Sequence, residues 1–175
     1  MADHILRAEP VIAVLTPYVL ARSAHDAYCM TRDYVGDKSG WLMRLYMFCV
    51  TIELGMKGAI LAENCTAAVK AELKSRKIGH DLSKLHDKFL EIFPPIFNQV
   101  QVEAIERINA YFRDKGLEYF TPTVMEQTLN GGRDIPSVDV MEEIAGKLDA
   151  FLKSHAYFIE GRTTDAPGVG IIQFV

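Results

Sequence analysis

The stretch from Trp41 to Asn64, WLMRLYMFCVTIELGMKGAILAEN, constrains this chain more than any other. It is the longest apolar-rich segment without proline. Trp41, Leu45, Phe48, Ile52, Met56 and Ala59 recur at steps of three and four, the period of a helix face. Leu42, Cys49 and Ile60 widen that face. A helix that is apolar around most of its circumference belongs in the middle of a bundle. The pattern therefore predicts a central helix over about residues 40–64, roughly 36 Å long at the usual rise per residue. Arg44, Thr51, Glu53 and Lys57 interrupt the apolar run. A membrane span needs about 20 apolar residues with few charges, and Arg44 and Glu53 fall inside this candidate, so no span is expected.

The other segments read as helices that would surround the central one. Thr16-Pro17 has the form of an N-cap followed by proline at the first helical position. A start at Pro10 would instead leave Pro17 as a kink. Gly36 to Gly40 is a turn, with Ser39 as the expected cap of the central helix. Thr66 can cap TAAVKAELKSRK, either a separate helix or a bent continuation. Asp81 caps the next helix, whose stripe is Leu82, Leu85, Phe89 and Ile92, and Pro94-Pro95 stops it. Gln99 to Asp114 is amphipathic, with Val102, Ile105, Ile108 and Phe112 inward. Thr121 to about Leu129 allows a short helix. Ser137 caps a last long helix that carries Val140, Ile144, Leu148, Phe151 and His155 on one face. The end, GIIQFV, reads as a strand-like tail. The expectation is a single all-α domain over residues 1–175, a bundle of five to six helices, irregular from about residue 161.

Composition narrows the functional classes. A length of 175 residues, 49% hydrophobic and 24% charged, suits one globular domain. A net charge of -4 argues against a dedicated duplex-DNA binder. Cys29, Cys49 and Cys65 are odd in number and form no CxxC pair. They read as free, buried thiols in a reducing cytoplasm. MADHILRAEP carries Asp3 and Glu9 and no long apolar core, so no signal peptide is expected.

Three clusters bear on chemistry. Glu53 and Lys57 are spaced i, i+4 in the favourable orientation, as a structural ion pair or as a polar site in a groove. In SRKIGHDLSKL, Asp81 suits a helix cap, and His80 offers a proton-transfer group with Arg76 and Lys77 nearby. Lys70, Lys74, Arg76, Lys77, Lys84 and Lys88 form the one basic concentration, diluted by Glu72 and Asp87. It is either a phosphate-attracting surface or a solvated helix face. No metal-ligand spacing, phosphate-cradling loop or nucleophile elbow occurs. No metal or cofactor is expected.

IELGMKGAILAE (Ile52 to Glu63) followed by RKIGHDLSKL (Arg76 to Leu85) resembles the HEPN-like helical domains of bacteria. The shared features are an E-x-x-x-K helix, here Glu53 and Lys57, and a G-H-D-L-x-x-L helix start, here Gly79 to Leu85. The resemblance spans roughly Trp41 to Phe93. It implies an all-helical bundle, commonly a homodimer, in toxin–antitoxin, phage-defence or RNA-processing systems. Active members cleave RNA through an Arg-x4–6-His motif. This chain departs from it, because Arg22–His25 and Arg76–His80 are both too closely spaced. The resemblance thus implies a degenerate member that binds RNA or a partner protein at Glu53, Lys57, Arg76, Lys77, His80 and Asp81. The alternatives are a metal-independent ribonuclease using His80 with Arg76 or Arg22, with His25 as a further candidate, and a small-ligand-binding bundle with its pocket at Glu53 and Lys57.

If the central helix is the core, Ile52→Ala is expected to cost about 2–5 kcal/mol, the range for truncating a buried large aliphatic. Equilibrium urea unfolding checks this. A loss below ~0.5 kcal/mol, the scale of a surface substitution, would remove the helix from the core.

Overall fold

The computed structural model describes residues 16–34, 40–75, 78–115, 117 and 135–155. Among them are six α-helices and no strand: α1 (Pro17–Arg32), α2 (Trp41–Glu63), α3 (Ala67–Lys74), α4 (Leu82–Leu90), α5 (Gln99–Arg113) and α6 (Val138–Ser154). The helices pack around α2, as its apolar circumference demands. The segments around Pro10, Thr121–Leu129 and GIIQFV lie outside the described residues.

Local chemistry starts five of the six helices. The side chains of Thr16, Thr66, Asp81, Asn98 and Ser137 each accept a hydrogen bond from the backbone N–H three residues on. Each bond satisfies a donor that the first turn leaves without a helical partner. Asn98 and Gln101 form a reciprocal capping box. Helix α2 is the exception. Its N-cap is Gly40, with no side-chain bond, and Ser39, the expected cap, lies outside the described residues. Helix α3 is separate from α2, because residues 64–66 break the helical path.

Leu45, Phe48, Ile52, Met56, Ala59 and Ile60 of α2 are fully buried. By length and composition alone α2 could cross a membrane, which the charges Arg44 and Glu53 had argued against; 67% of its apolar window is buried inside the bundle. Helix α1 lies against it through Leu20, Ala21, Ala24 and Ala27. The alanines let the backbones come close at Gly58, where an added Cβ would stand 3.0 Å from the Ala21 amide nitrogen and 3.3 Å from the Pro17 carbonyl oxygen. On another side, Gly55 admits Leu148 and Leu152 of α6. Phe89 and Phe93 meet Phe151 at ring separations of 5.3 and 5.2 Å, joining the end of α4 to α6.

Three apolar expectations change. Helix α4 ends at Leu90, before the Pro94-Pro95 pair, so Ile92 leaves the stripe and is exposed. His155 caps the end of α6 and is exposed, its ring stacked on Phe151 at 4.0 Å. Of the three free thiols only Cys49 is buried; Cys29 is half-buried and Cys65 exposed.

The two glycines of α2 separate two kinds of close packing. Alanine is about 1 kcal/mol better than glycine in a helix interior. At Gly58 the added methyl meets backbone, which cannot rotate away, whereas at Gly55 it meets the end of the Leu148 side chain. Gly58→Ala is therefore expected to be the more destabilising of the two, by about 1–3 kcal/mol, in thermal or urea unfolding. Equal effects would mean that the α1–α2 contact yields as easily as a leucine rotamer.

Candidate functional site

Glu53 sits in the middle of α2 and is 6% exposed. An unpaired carboxylate there would be costly, and both its oxygens are engaged. Lys57 Nζ donates to Oε1 at 2.5 Å, one helical turn along. His80 Nδ1 lies 3.0 Å from Oε2. An ionised carboxylate only accepts, so Nδ1 carries the hydrogen and donates. The α3–α4 turn brings His80 there, 27 residues away in sequence. Gly79 makes that turn with a φ of +45°, a region that a side chain disfavours. The imidazole stands edge-on to Phe112 of α5 at 6.2 Å and is itself largely exposed. Two residues that the sequence raised separately thus meet on one carboxylate.

Asp81 turns another way. Its Oδ1 accepts from the Lys84 backbone N–H at 3.2 Å and from Asn109 Nδ2 at 2.9 Å. Asn109, buried in α5, also accepts from the Leu82 N–H at 2.7 Å. Two donors at the start of α4 are thereby satisfied by two different helices' side chains. Lys84 and Arg113 stand 3.6 and 3.7 Å from Oδ2. Burial pushes the Asp81 carboxyl up, but the Lys84 N–H, the Asn109 amide and the two cations outweigh it and hold the group below its ordinary range. These bonds make Asp81 a cap and an α4–α5 link.

The basic concentration divides. Lys84 goes to Asp81, and Lys88 lies 2.9 Å from Glu91 and 3.6 Å from Glu72. Lys70 and Lys74 have no carboxylate partner among the described residues. With Lys57 and Glu53 they rim a groove of about 190 Å³ whose remaining lining is Leu20, Leu54, Leu61 and Leu73. Arg76 and Lys77 lie outside the described residues. Because Glu72 is drawn to Lys88 and the Glu53 charge is matched by Lys57, Lys70 and Lys74 leave the rim net positive.

Arg22 and His25, the other candidate pair, diverge in their partners. Arg22 Nε lies 3.1 Å from Asp26, both exposed. His25 Nδ1 meets Asp149 Oδ1 of α6 at 2.7 Å, and Asp149 is buried. Lys153 Nζ lies 2.8 Å from the other oxygen of Asp149. Cys29 Sγ lies 3.7 Å from His25 Nε2 and 3.8 Å from Nδ1. The i, i+4 spacing of His25 and Cys29 was readable in the sequence; Asp149, 124 residues from His25, carried no signal. A second cavity, of about 320 Å³, lies between α4 and α5 beside the buried His86, whose imidazole burial pushes towards the neutral form against the charges of Asp87 and Glu106. Among the described residues no group of three His, Cys, Asp or Glu side chains is arranged to hold a metal ion.

No protein family, curated protein or solved structure matches this chain.

The Asp81 geometry makes a pH-dependent expectation. Asp81→Ala is expected to cost about 2–3 kcal/mol at neutral pH, a lost cap plus the loss of one of the two bonds that Asn109 Nδ2 donates, its bond to Ser83 remaining. Asp81→Asn keeps the Oδ1 acceptor and should cost less. A carboxyl whose folded pKa is depressed contributes stability above its unfolded pKa of about 4, and loses it as pH falls through the folded value. The gap between wild type and Asp81→Asn in urea unfolding should therefore narrow below pH 4. A gap independent of pH would mean that the Asp81 charge does not stabilise the fold.

Proposed function

We propose that this protein is a binding module for a small anion with an apolar body, held in the groove between α2 and α3. The observation that carries the reading is the lining of that groove: Lys57, Lys70 and Lys74 around a floor of four leucines. An ammonium rim attracts a carboxylate, sulfate or phosphate head. The leucine floor gives about 25 cal/mol for each Å² of apolar ligand surface that it covers. Glu53 does not repel the head strongly, because Lys57 and His80 occupy its oxygens. The contribution of Glu53 is to hold Lys57 at the rim.

A second reading is an HEPN-like, homodimeric and cytoplasmic protein that binds RNA through the same lysines without cleaving it. It is favoured by the sequence resemblance and by the lack of a carboxylate partner for Lys70 and Lys74 among the described residues. The leucine floor argues for the first reading, since a phosphate backbone has no use for it. Backbone contacts would instead impose a steep salt dependence.

Calorimetric titration with decanoate, and separately with a short single-stranded RNA, distinguishes the two. Decanoate is expected to bind, and the double substitution Lys70→Gln with Lys74→Gln to weaken it by about tenfold or more, a loss of ~1.4 kcal/mol. RNA binding that falls steeply with salt, without decanoate binding, would replace the first reading by the second. Absence of both would leave the groove as packing and overturn both.

A further inference from the structure

The cavity between α4 and α5, of about 320 Å³, shares no lining residue with the α2–α3 groove, and its chemistry is the opposite. His86 of α4 lines it and is 6% exposed. The imidazole rests against Phe97, with ring centres 5.6 Å apart. Neither ring nitrogen has a hydrogen-bond or ion-pair partner among the described residues. Arg44 Nε is the one fully enclosed side-chain nitrogen or oxygen without a partner among those residues, so the His86 nitrogens open to the cavity. A buried polar group ordinarily finds a partner, and the cavity is where this ring can find one. Burial pushes the imidazole towards its neutral form, against the charges of Asp87 and Glu106. A neutral imidazole has one acceptor nitrogen and one N–H.

The mouth of the cavity is acidic. Asp87 of α4 and Glu106 of α5 line it, both are exposed, and neither has an ion-pair partner among the described residues. The lysines to either side of Asp87 on α4 turn to other carboxylates, Lys84 to Asp81 and Lys88 to Glu91 and Glu72. Leu90, Phe97 and Ile105 supply apolar wall. Ligand sites run from about 300 to 1,000 Å³, so this one suits a compact molecule. We propose that the cavity binds a small organic cation, a primary amine on a compact apolar body. The ammonium lies by the Asp87 and Glu106 carboxylates and donates one of its three hydrogens to the acceptor nitrogen of His86. The apolar body covers the wall. Among the described residues no three His, Cys, Asp or Glu side chains are arranged to hold a metal ion, which makes the cation organic.

Phenethylamine, cationic at neutral pH, is the probe. Hydrocinnamate, with a similar body and the opposite charge, is the control. The full chain, isotope-labelled, would be titrated with each at neutral pH while NMR follows the assigned ring-nitrogen signals of His86. These signals report on this cavity and not on the lysine-lined groove. Phenethylamine is expected to shift them saturably, with a Kd of about 1 mM or tighter. Hydrocinnamate is expected to leave them in place. Asp87→Asn combined with Glu106→Gln should weaken the amine by about fivefold or more, because two ion pairs are lost. Both positions are exposed, and the amide spectrum reports whether the variant stays folded; Glu106→Gln alone is the milder variant and should weaken binding in the same direction. The absence of a saturable His86 shift would overturn the proposal. So would an equal shift with hydrocinnamate, or an unchanged affinity in a folded variant.

Discussion

The enclosure of α2 is the constraint from which the rest of the structure follows. A helix apolar on nearly every side has no face to give to water, so other helices must surround it. Enclosure then acts on the polar groups that α2 does carry. Thr51 returns its hydroxyl to the Met47 carbonyl at 2.9 Å. Arg44 reaches Glu142 of α6 at 3.0 Å. Glu53, the most deeply placed charge, takes Lys57 from its own helix and His80 from the α3–α4 turn. Each bond offsets a desolvation cost that burial created. The candidate site is thus tied to the core: Glu53 organises Lys57 and His80 because it is buried.

A second set of polar links fixes how the outer helices sit. Asn109 of α5 reaches the start of α4 and meets Leu82, Asp81 and Ser83 together. Gln101, 2% exposed, donates to Glu143 and accepts from Lys147, both on α6. Apolar contact is tolerant of small rotations, whereas a buried amide left without partners costs about 1–3 kcal/mol. These two α5 side chains therefore narrow the angles at which α4 and α6 can lie. The close approach at Gly58 does the same for α1, by steric means.

The two clusters with chemistry use charge differently. At the groove, carboxylates are engaged elsewhere: Glu72 goes to Lys88 and Glu53 to Lys57 and His80, while Lys70 and Lys74 line the groove. Beside His25 a carboxylate is the organising group: Asp149 of α6 meets the ring at 2.7 Å and takes Lys153 on its other oxygen.

The sequence by itself determined what a few residues of one helix can decide. The caps Thr16, Thr66, Asp81 and Ser137 were legible because a side chain reaches only the amide two or three positions on. The pairing of Glu53 with Lys57 was legible because i, i+4 neighbours share a helix face. The central place of α2 followed from its composition alone. Tertiary structure decided everything that depends on how helices cross. It brought His80 to Glu53 across 27 residues and Asp149 to His25 across 124. It committed Lys84 and Lys88 to carboxylates while leaving Lys70 and Lys74 at a groove. It left Ile92 and Cys65 at the surface, although both read as core. The physical reason is the reach of the interactions: helical geometry fixes neighbours three and four apart, and only the packing of whole helices selects the rest.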